Sequence, residues 1–160
     1  MKKFLIIQML LLLTLITFAQ TTPTKEETIK WICEKINAYG SSIRAANLPD
    51  DYIVTTTAKG GLIKKQTEHK RISQYTYYLN INDIISYKRK TFVTDAICLE
   101  LVTYGNKAQS LCEKDNTIES INSICLTLSW GSEPNLLIRF ETALDTLTEY
   151  NKKSITKETF

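Results

Sequence analysis

Histidine is almost absent from this chain: of 160 residues only His69 carries an imidazole. It stands in Glu68-His69-Lys70-Arg71, where neighbouring cations disfavour both protonation and metal binding, so it reads as an exposed strand residue. No Cys-x-x-Cys spacing occurs among the 4 cysteines, which argues against structural zinc. There is no Gly-x-Ser-x-Gly, and no cysteine has a histidine partner visible in the pattern, so nucleophilic catalysis lacks its constellation. Glycine is scarce at 5 residues, and Gly60-Gly61 is not followed by the helix that a phosphate-cradling loop requires. The adjacent acids Glu26-Glu27 and Asp50-Asp51 have plainer roles, opening a helix and filling a loop. The chain therefore reads as a non-enzyme without metal or cofactor. It shows no internal repeat, low-complexity tract or interdomain linker.

What is present begins with an address. Lys2 and Lys3 precede an apolar run from Phe4 to Phe18, and Thr17-Phe18-Ala19 closes it with a small residue before Gln20. That is the layout of a secretory signal peptide over residues 1–19. The run is shorter than the roughly 20 residues a spanning helix needs, which leaves an uncleaved anchor as the lesser alternative. No cysteine follows until Cys33, so a lipidated N-terminal cysteine is not indicated. Removing Lys2 and Lys3 takes the 20 basic residues to 18, against 17 acidic ones. So even a balance gives no general case for nucleic acid. The expected location is periplasmic or secreted, in a bacterium, with no membrane span after cleavage.

The mature part reads as a single domain over residues 24–151. Thr24-Lys25-Glu26-Glu27 is a capping box. Ile29, Ile32, Cys33, Ile36 and Tyr39 make the apolar stripe of a helix over 24–39, and Gly40 stops it. Trp31 projects from the other side, where a loop or strand edge would cover it. Residues 41–51 read as a loop, and about seven strands follow between residues 52 and 130. Gly60-Gly61 marks the first hairpin, and the strand from Leu62 reads as an edge guarded by Lys64, Lys65 and Lys70. Tyr75, Tyr77 and Leu79 share one strand face, as do Ile97, Leu99 and Leu101 on a later strand. Ile124, Leu126, Leu128 and Trp130 form a last alternating strand. Ser132 and Pro134 then open a helix over 133–151, with Leu136, Leu137, Phe140, Ala143, Leu144, Leu147 and Tyr150 on one face. Residues 152–160 read as a frayed tail.

Four cysteines in an exported chain invite a disulfide, and they allow three full pairings. A three-residue loop over Tyr104 to Asn106 would place Cys98 directly opposite Cys112, whereas a two-residue Gly105-Asn106 turn would put them on opposite faces. The reading favours Cys98–Cys112. Cys33 suits a bridge or a small buried hydrophobe equally well.

This order of elements resembles the pleckstrin-homology and GRAM-like superfold, an α+β antiparallel meander capped by a C-terminal amphipathic helix, here with an additional N-terminal helix. The segment Tyr78-Leu79-Asn80-Ile81-Asn82-Asp83-Ile84-Ile85-Ser86-Tyr87 is similar to a strand–turn–strand step of such domains. Pro23-Thr24-Lys25-Glu26-Glu27-Thr28-Ile29 at one end resembles small exported bacterial proteins of unknown role. So do Glu133-Pro134-Asn135-Leu136, Arg139-Phe140, Ala143-Leu144 and Lys157-Glu158-Thr159-Phe160 at the other. The resemblance implies a fold and an address, and no activity.

One site-like feature remains. Lys64, Lys65, Lys70, Arg71, Lys88, Arg89 and Lys90 interleave with Tyr75, Tyr77, Tyr78 and Tyr87. Gathered on one rim of a sheet, these cations would attract an anionic surface polymer or a protein. Dispersed, they would be a solvated lysine face. The expected function is a binding or interaction module using this basic face. The alternatives are an inhibitor-like or accessory subunit using hydrophobic surface near Trp31 or Leu62, and an enzyme whose residues converge only in three dimensions.

Overall fold

The computed structural model describes residues 22–40, 43–44, 52–69, 72–93, 96–129 and 133–158. The proposed signal peptide, Lys70 and Arg71 lie outside them.

The N-terminal helix α1 (Lys25–Tyr39) starts as the capping box predicts. Glu27 N donates to Thr24 Oγ1 at 3.2 Å, and Thr24 N donates to the Glu27 carboxylate at 2.8 Å. These bonds hold the Glu27 carboxyl below its ordinary pKa. At the other end the chain passes directly into a sheet. Gly40 accepts from Thr56 N at 2.6 Å, and a Cβ on Gly40 would lie 2.6 Å from the Thr56 carbonyl oxygen, so only glycine permits this approach.

The larger sheet has the order β1-β2-β3-β4-β7-β8 and the smaller one β5-β6-β9, all antiparallel. The strands are β1 (Ile43–Arg44), β2 (Tyr52–Lys59), β3 (Leu62–His69), β4 (Ile72–Asn80), β5 (Ile84–Val93), β6 (Ala96–Thr103), β7 (Ala108–Cys112), β8 (Thr117–Ile121) and β9 (Ser123–Ser129). Gly60 and Gly61 turn β2 into β3 with φ of 57° and 82°, the backbone a tight hairpin requires. The fold class is α+β, as expected, but consecutive pairing breaks three times, after β4, β6 and β8. A short turn at Tyr104–Asn106 carries the chain from β6 in the smaller sheet to β7, which pairs with β4 in the larger; β9 then returns to β6. β3 pairs on both sides, so the expectation that it is a lysine-guarded edge is corrected. β1 and β8 are strands that the sequence pattern did not reveal.

The second helix, α2 (Leu136–Glu158), starts later and runs further than expected, and residues 152–158 are helical rather than frayed. Its apolar face is buried: Phe140, Leu144 and Leu147 are each 0% exposed. They join Ile32 and Ile36 of α1, Ile63 and Leu79 of the larger sheet, and Leu99, Leu101, Leu126 and Leu128 of the smaller one in one core. Burying side chains of this size contributes about 1.5–3 kcal/mol each. Asn151 continues the buried face and donates to the carbonyls of Ile81 and Ile84 at 3.0 and 2.8 Å, closing the turn between β4 and β5. Tyr87 on β5 donates to Asp145 of α2 at 3.0 Å, and its pKa is pushed up to about 12, first by burial and then by that bond. Among the described residues no helix is long and apolar enough to cross a membrane.

The bridge is Cys98–Cys125, with Cα atoms 6.0 Å apart, and Cys112 is a free thiol along with Cys33. The Cys98–Cys112 reading is therefore corrected, and the reason is the strand order. β6 lies against β9, with Cys98 opposite Thr127 and Glu100 opposite Cys125, so the two sulfurs are diagonal neighbours on one face. Cys112 belongs to the other sheet, opposite Tyr75 and Thr117.

Candidate functional site

The basic residues named above do not share one rim. Lys64 and Lys65 occupy successive positions of β3 and so face opposite sides of the larger sheet. Lys88, Arg89 and Lys90 belong to β5 of the smaller sheet and alternate in the same way. Arg89 turns to α2, where it approaches Glu141 at 3.7 Å; Lys90 pairs with Glu100 on β6 at 3.2 Å. Lys70 and Arg71 lie outside the described residues.

Trp31 is engaged from within. Its ring is 5.9 Å from that of Phe140, with Lys35 Nζ 5.5 Å and the Arg139 guanidinium 5.4 Å from its centroid. Both cations belong to a cluster on Glu133. One carboxylate oxygen accepts from Lys35 at 2.6 Å and from the Tyr39 hydroxyl at 2.9 Å, and the other accepts from Arg139. The bond from Lys35, then that from Tyr39, holds the Glu133 carboxyl below its usual pKa, and the same contact raises the Tyr39 hydroxyl. This cluster ties α1 to the start of α2, and Trp31 is partly buried against the core. Leu62, the other apolar candidate, is 45% exposed but has no exposed apolar neighbour on its own strand.

The larger sheet presents a more distinctive surface. Cross-strand register orders its core-facing side into rows. The first, through Ala58, Ile63 and Leu79, is buried and apolar. The second runs Thr56–Lys65–Tyr77–Ser110–Glu119, and the third Val54–Thr67–Tyr75–Cys112–Thr117. At the β2 side these rows are closed over, with Thr56 0% exposed. At the β4–β7–β8 side they open into a cleft of about 200 Å³ lined by Tyr75, Ser110, Cys112, Asp115, Thr117 and Glu119.

Its chemistry is polar and acidic. Asp115, in the β7–β8 turn, accepts from Thr117 Oγ1 at 2.7 Å and from Thr117 N at 3.0 Å, and these bonds lower its pKa. The Tyr75 hydroxyl is raised, first by its electrostatic interaction and hydrogen bond with Cys112, then by burial, then by Asp115 and Glu119. Tyr75 and Tyr77 stack with ring centroids 6.3 Å apart, and Lys65 Nζ lies 5.6 Å from the Tyr77 centroid. Burial pushes the Lys65 ammonium down to about 8. Of the residues named for the basic face, only Lys65 and the two tyrosines belong to this region, and Cys112 was named only for a bridge. Cys112, Ser110, Asp115, Thr117 and Glu119 were missed as site residues because a nonlocal pairing, β4 with β7, assembles them. The stretch of Tyr75 and Tyr77 on one strand face was the signal within reach.

Thiol nucleophiles in enzymes are matched with an imidazole or held beside a cation. Neither lines this cleft among the described residues. Comparison with protein-family models, with curated proteins and with solved structures returns no match for this chain.

Proposed function

We propose that this chain is an exported, non-enzymatic binding module of pleckstrin-homology-like build, which contacts a protein partner through the β4–β7–β8 end of its larger sheet. The observation that carries the reading is the change along the core-facing side of that sheet. It is apolar and covered beside the helices, then polar and open at a cleft beside strand β8. The apolar row itself runs on through Ala108 and Ile121, so the open, polar part is confined to the two rows beyond it. The signal-like segment of residues 1–19 and the Cys98–Cys125 bridge both suit an oxidising compartment. The dispersal of Lys64, Lys65, Lys88, Arg89 and Lys90 moves the reading away from an anionic polymer held by a basic rim.

The test is capture from an envelope extract by the immobilised mature chain, beside a Ser110→Arg variant whose side chain fills the cleft. A stoichiometric partner retained by the wild type and lost by the folded variant supports the reading. A partner retained equally by both places the contact elsewhere and refutes it.

A further inference from the structure

We propose that the partner contributes an extended, cation-bearing polypeptide segment, which adds to the larger sheet as a further strand along β8 with a lysine or arginine opposite Glu119. This deepens the reading of the β4–β7–β8 end as the contact surface and rests on it.

The two edges of the larger sheet differ. On the β2 side the chain closes its own edge. β1 pairs with Ile53 and Val54, the Gly40 carbonyl takes Thr56 N, and the Asn37 side chain bonds both Ala58 N and Ala58 O at 2.8 Å. On the β8 side no described strand pairs beyond Thr117–Ile121. In an antiparallel ladder every second residue of such a strand turns its N–H and C=O outward. Natural edges are blunted by shortness, by charged side chains (lysine above all), by proline or by a bulge. The sequence Thr-Ile-Glu-Ser-Ile has no lysine or proline, Glu119 is its one charge, and the β7–β8 register runs without a bulge from Cys112↔Thr117 to Ala108↔Ile121. One edge is sealed with some care and the other is left as a template.

Charge selects the occupant. Glu119 lies in the row facing the cleft, beside Ser110, and Asp115 lines the same cleft. Among the described residues neither carboxylate is in an ion pair, and Lys114 is the one cation of this hairpin, in its turn. An added strand places a side chain directly opposite Glu119 on the cleft face, where a cation is favoured. Its neighbours in sequence fall on the other face, beside Ile118, which is 66% exposed, and Ser120. The recognised pattern is therefore a cation flanked by β-formers, one of them apolar. A second copy of this chain is disfavoured, since antiparallel pairing of all of β8 with itself sets Glu119 against Glu119.

The probe is a short acetylated, amidated peptide of alternating threonine and valine with a central lysine, titrated to millimolar concentration against the mature chain. A matched peptide with central glutamate is the control. Strand addition slows hydrogen exchange at alternate amides of β8 and favours the lysine peptide by roughly three- to tenfold. Glu119→Lys inverts that preference, and Glu119→Gln, a milder change should the first not fold, abolishes it. Equal affinity for the two peptides, or unchanged β8 exchange at the highest concentration, overturns the proposal. Resonance shifts at Tyr75, Ser110 and Cys112 without β8 protection keep the cleft as contact surface but refute strand addition. Dimerisation of the chain alone through β8, read by sedimentation, replaces the peptide with a second copy and also refutes it.

Discussion

Lys65 should be a liability to the fold at neutral pH, and replacing it with methionine should stabilise the protein. Its ammonium sits in the second row of the larger sheet between Thr56 and Tyr77, with no carboxylate paired to it among the described residues. Burial lowers its pKa from 10.5 to about 8. At about 1.36 kcal/mol per pKa unit the full shift corresponds to roughly 3 kcal/mol, and partial solvent contact brings that to about 2 kcal/mol. The Tyr77 ring returns about 0.5–1 kcal/mol of attraction, which methionine forfeits while keeping the apolar stem. The net expectation for Lys65→Met at pH 7 is a gain of about 1–2 kcal/mol.

The pH profile separates this cause from better packing. Between about 8 and 10.5 the unfolded lysine holds its proton and the folded one has shed it, so stability rises with pH as the folded form escapes a buried charge. Tyrosine opposes this from about 10 upward: Tyr39, Tyr75 and Tyr87 all keep their protons longer in the folded state, and stability falls there. The clean window is therefore pH 8 to about 9.5, where the wild type should gain about 1 kcal/mol relative to Lys65→Met. Urea denaturation across that window reads it, in a background with Cys33 and Cys112 replaced so that free thiols cannot exchange with the bridge. Lys65→Arg, which cannot shed its proton, should be less stable than the wild type and lack the alkaline rise. A wild type whose stability is flat or falling from pH 8 to 9.5 would show that Lys65 is solvated, and the reasoning would fail.

Glu133→Gln should lower the melting temperature at pH 7, and the gap from the wild type should close as pH falls below 4.5, because a depressed carboxyl pKa stabilises only while ionised. A gap that persists in strong acid would assign the loss to packing. Asn151→Ala strands the Ile81 and Ile84 carbonyls and should cost about 2–4 kcal/mol in urea denaturation, far more than a helix-surface substitution. Peptide mapping without reduction should recover Cys98 joined to Cys125; replacing both with alanine should cost up to about 3 kcal/mol from loop entropy, and a Cys98–Cys112 peptide would contradict the strand order. Glu119→Thr removes the like-charge barrier on the open edge and should raise self-association at high concentration, seen by light scattering.

The parts of this fold that depend on near neighbours were readable. The Thr24–Glu27 capping box, the stop at Gly40, the Gly60-Gly61 hairpin and the buried stripe from Leu136 to Leu147 each follow from a few adjacent residues. What failed depends on where a strand goes after its turn. Tyr104–Asn106 looks like a hairpin connection, and on that premise Cys98 faces Cys112; in fact it is a crossover between sheets. β8 escaped notice because four of its five residues are exposed, so no apolar alternation marks it. α2 outran its expected end because residues 152–157 are exposed apart from half-buried Ile155, so no apolar stripe marks its last turns. The cations were visible as a run, but a run along a strand is split between two faces by its own geometry.

The same geometry explains why the open end of the larger sheet stands as a surface rather than as unfinished core. Two helices can cover only so much sheet. α2 is held against β5 by Tyr87 and Arg89 and at the β4–β5 turn by Asn151, while Glu133 fixes its start to α1. Both helices are thereby committed to the side that holds β2, β5 and β9, and neither can slide toward β8 without abandoning a polar contact. The β7–β8 hairpin joins the core at Ala108 and Ile121, and its other end, at Cys112 and Thr117, returns to the larger sheet away from it. Residues placed there must tolerate water, and a cleft of hydroxyls, a phenol, a thiol and two carboxylates does so. A solvated end alone would need no concavity and no bare edge. Their conjunction is what separates a contact surface from leftover sheet, since an edge guarded against its own copy by Glu119 alone still offers its backbone to a strand that carries a cation.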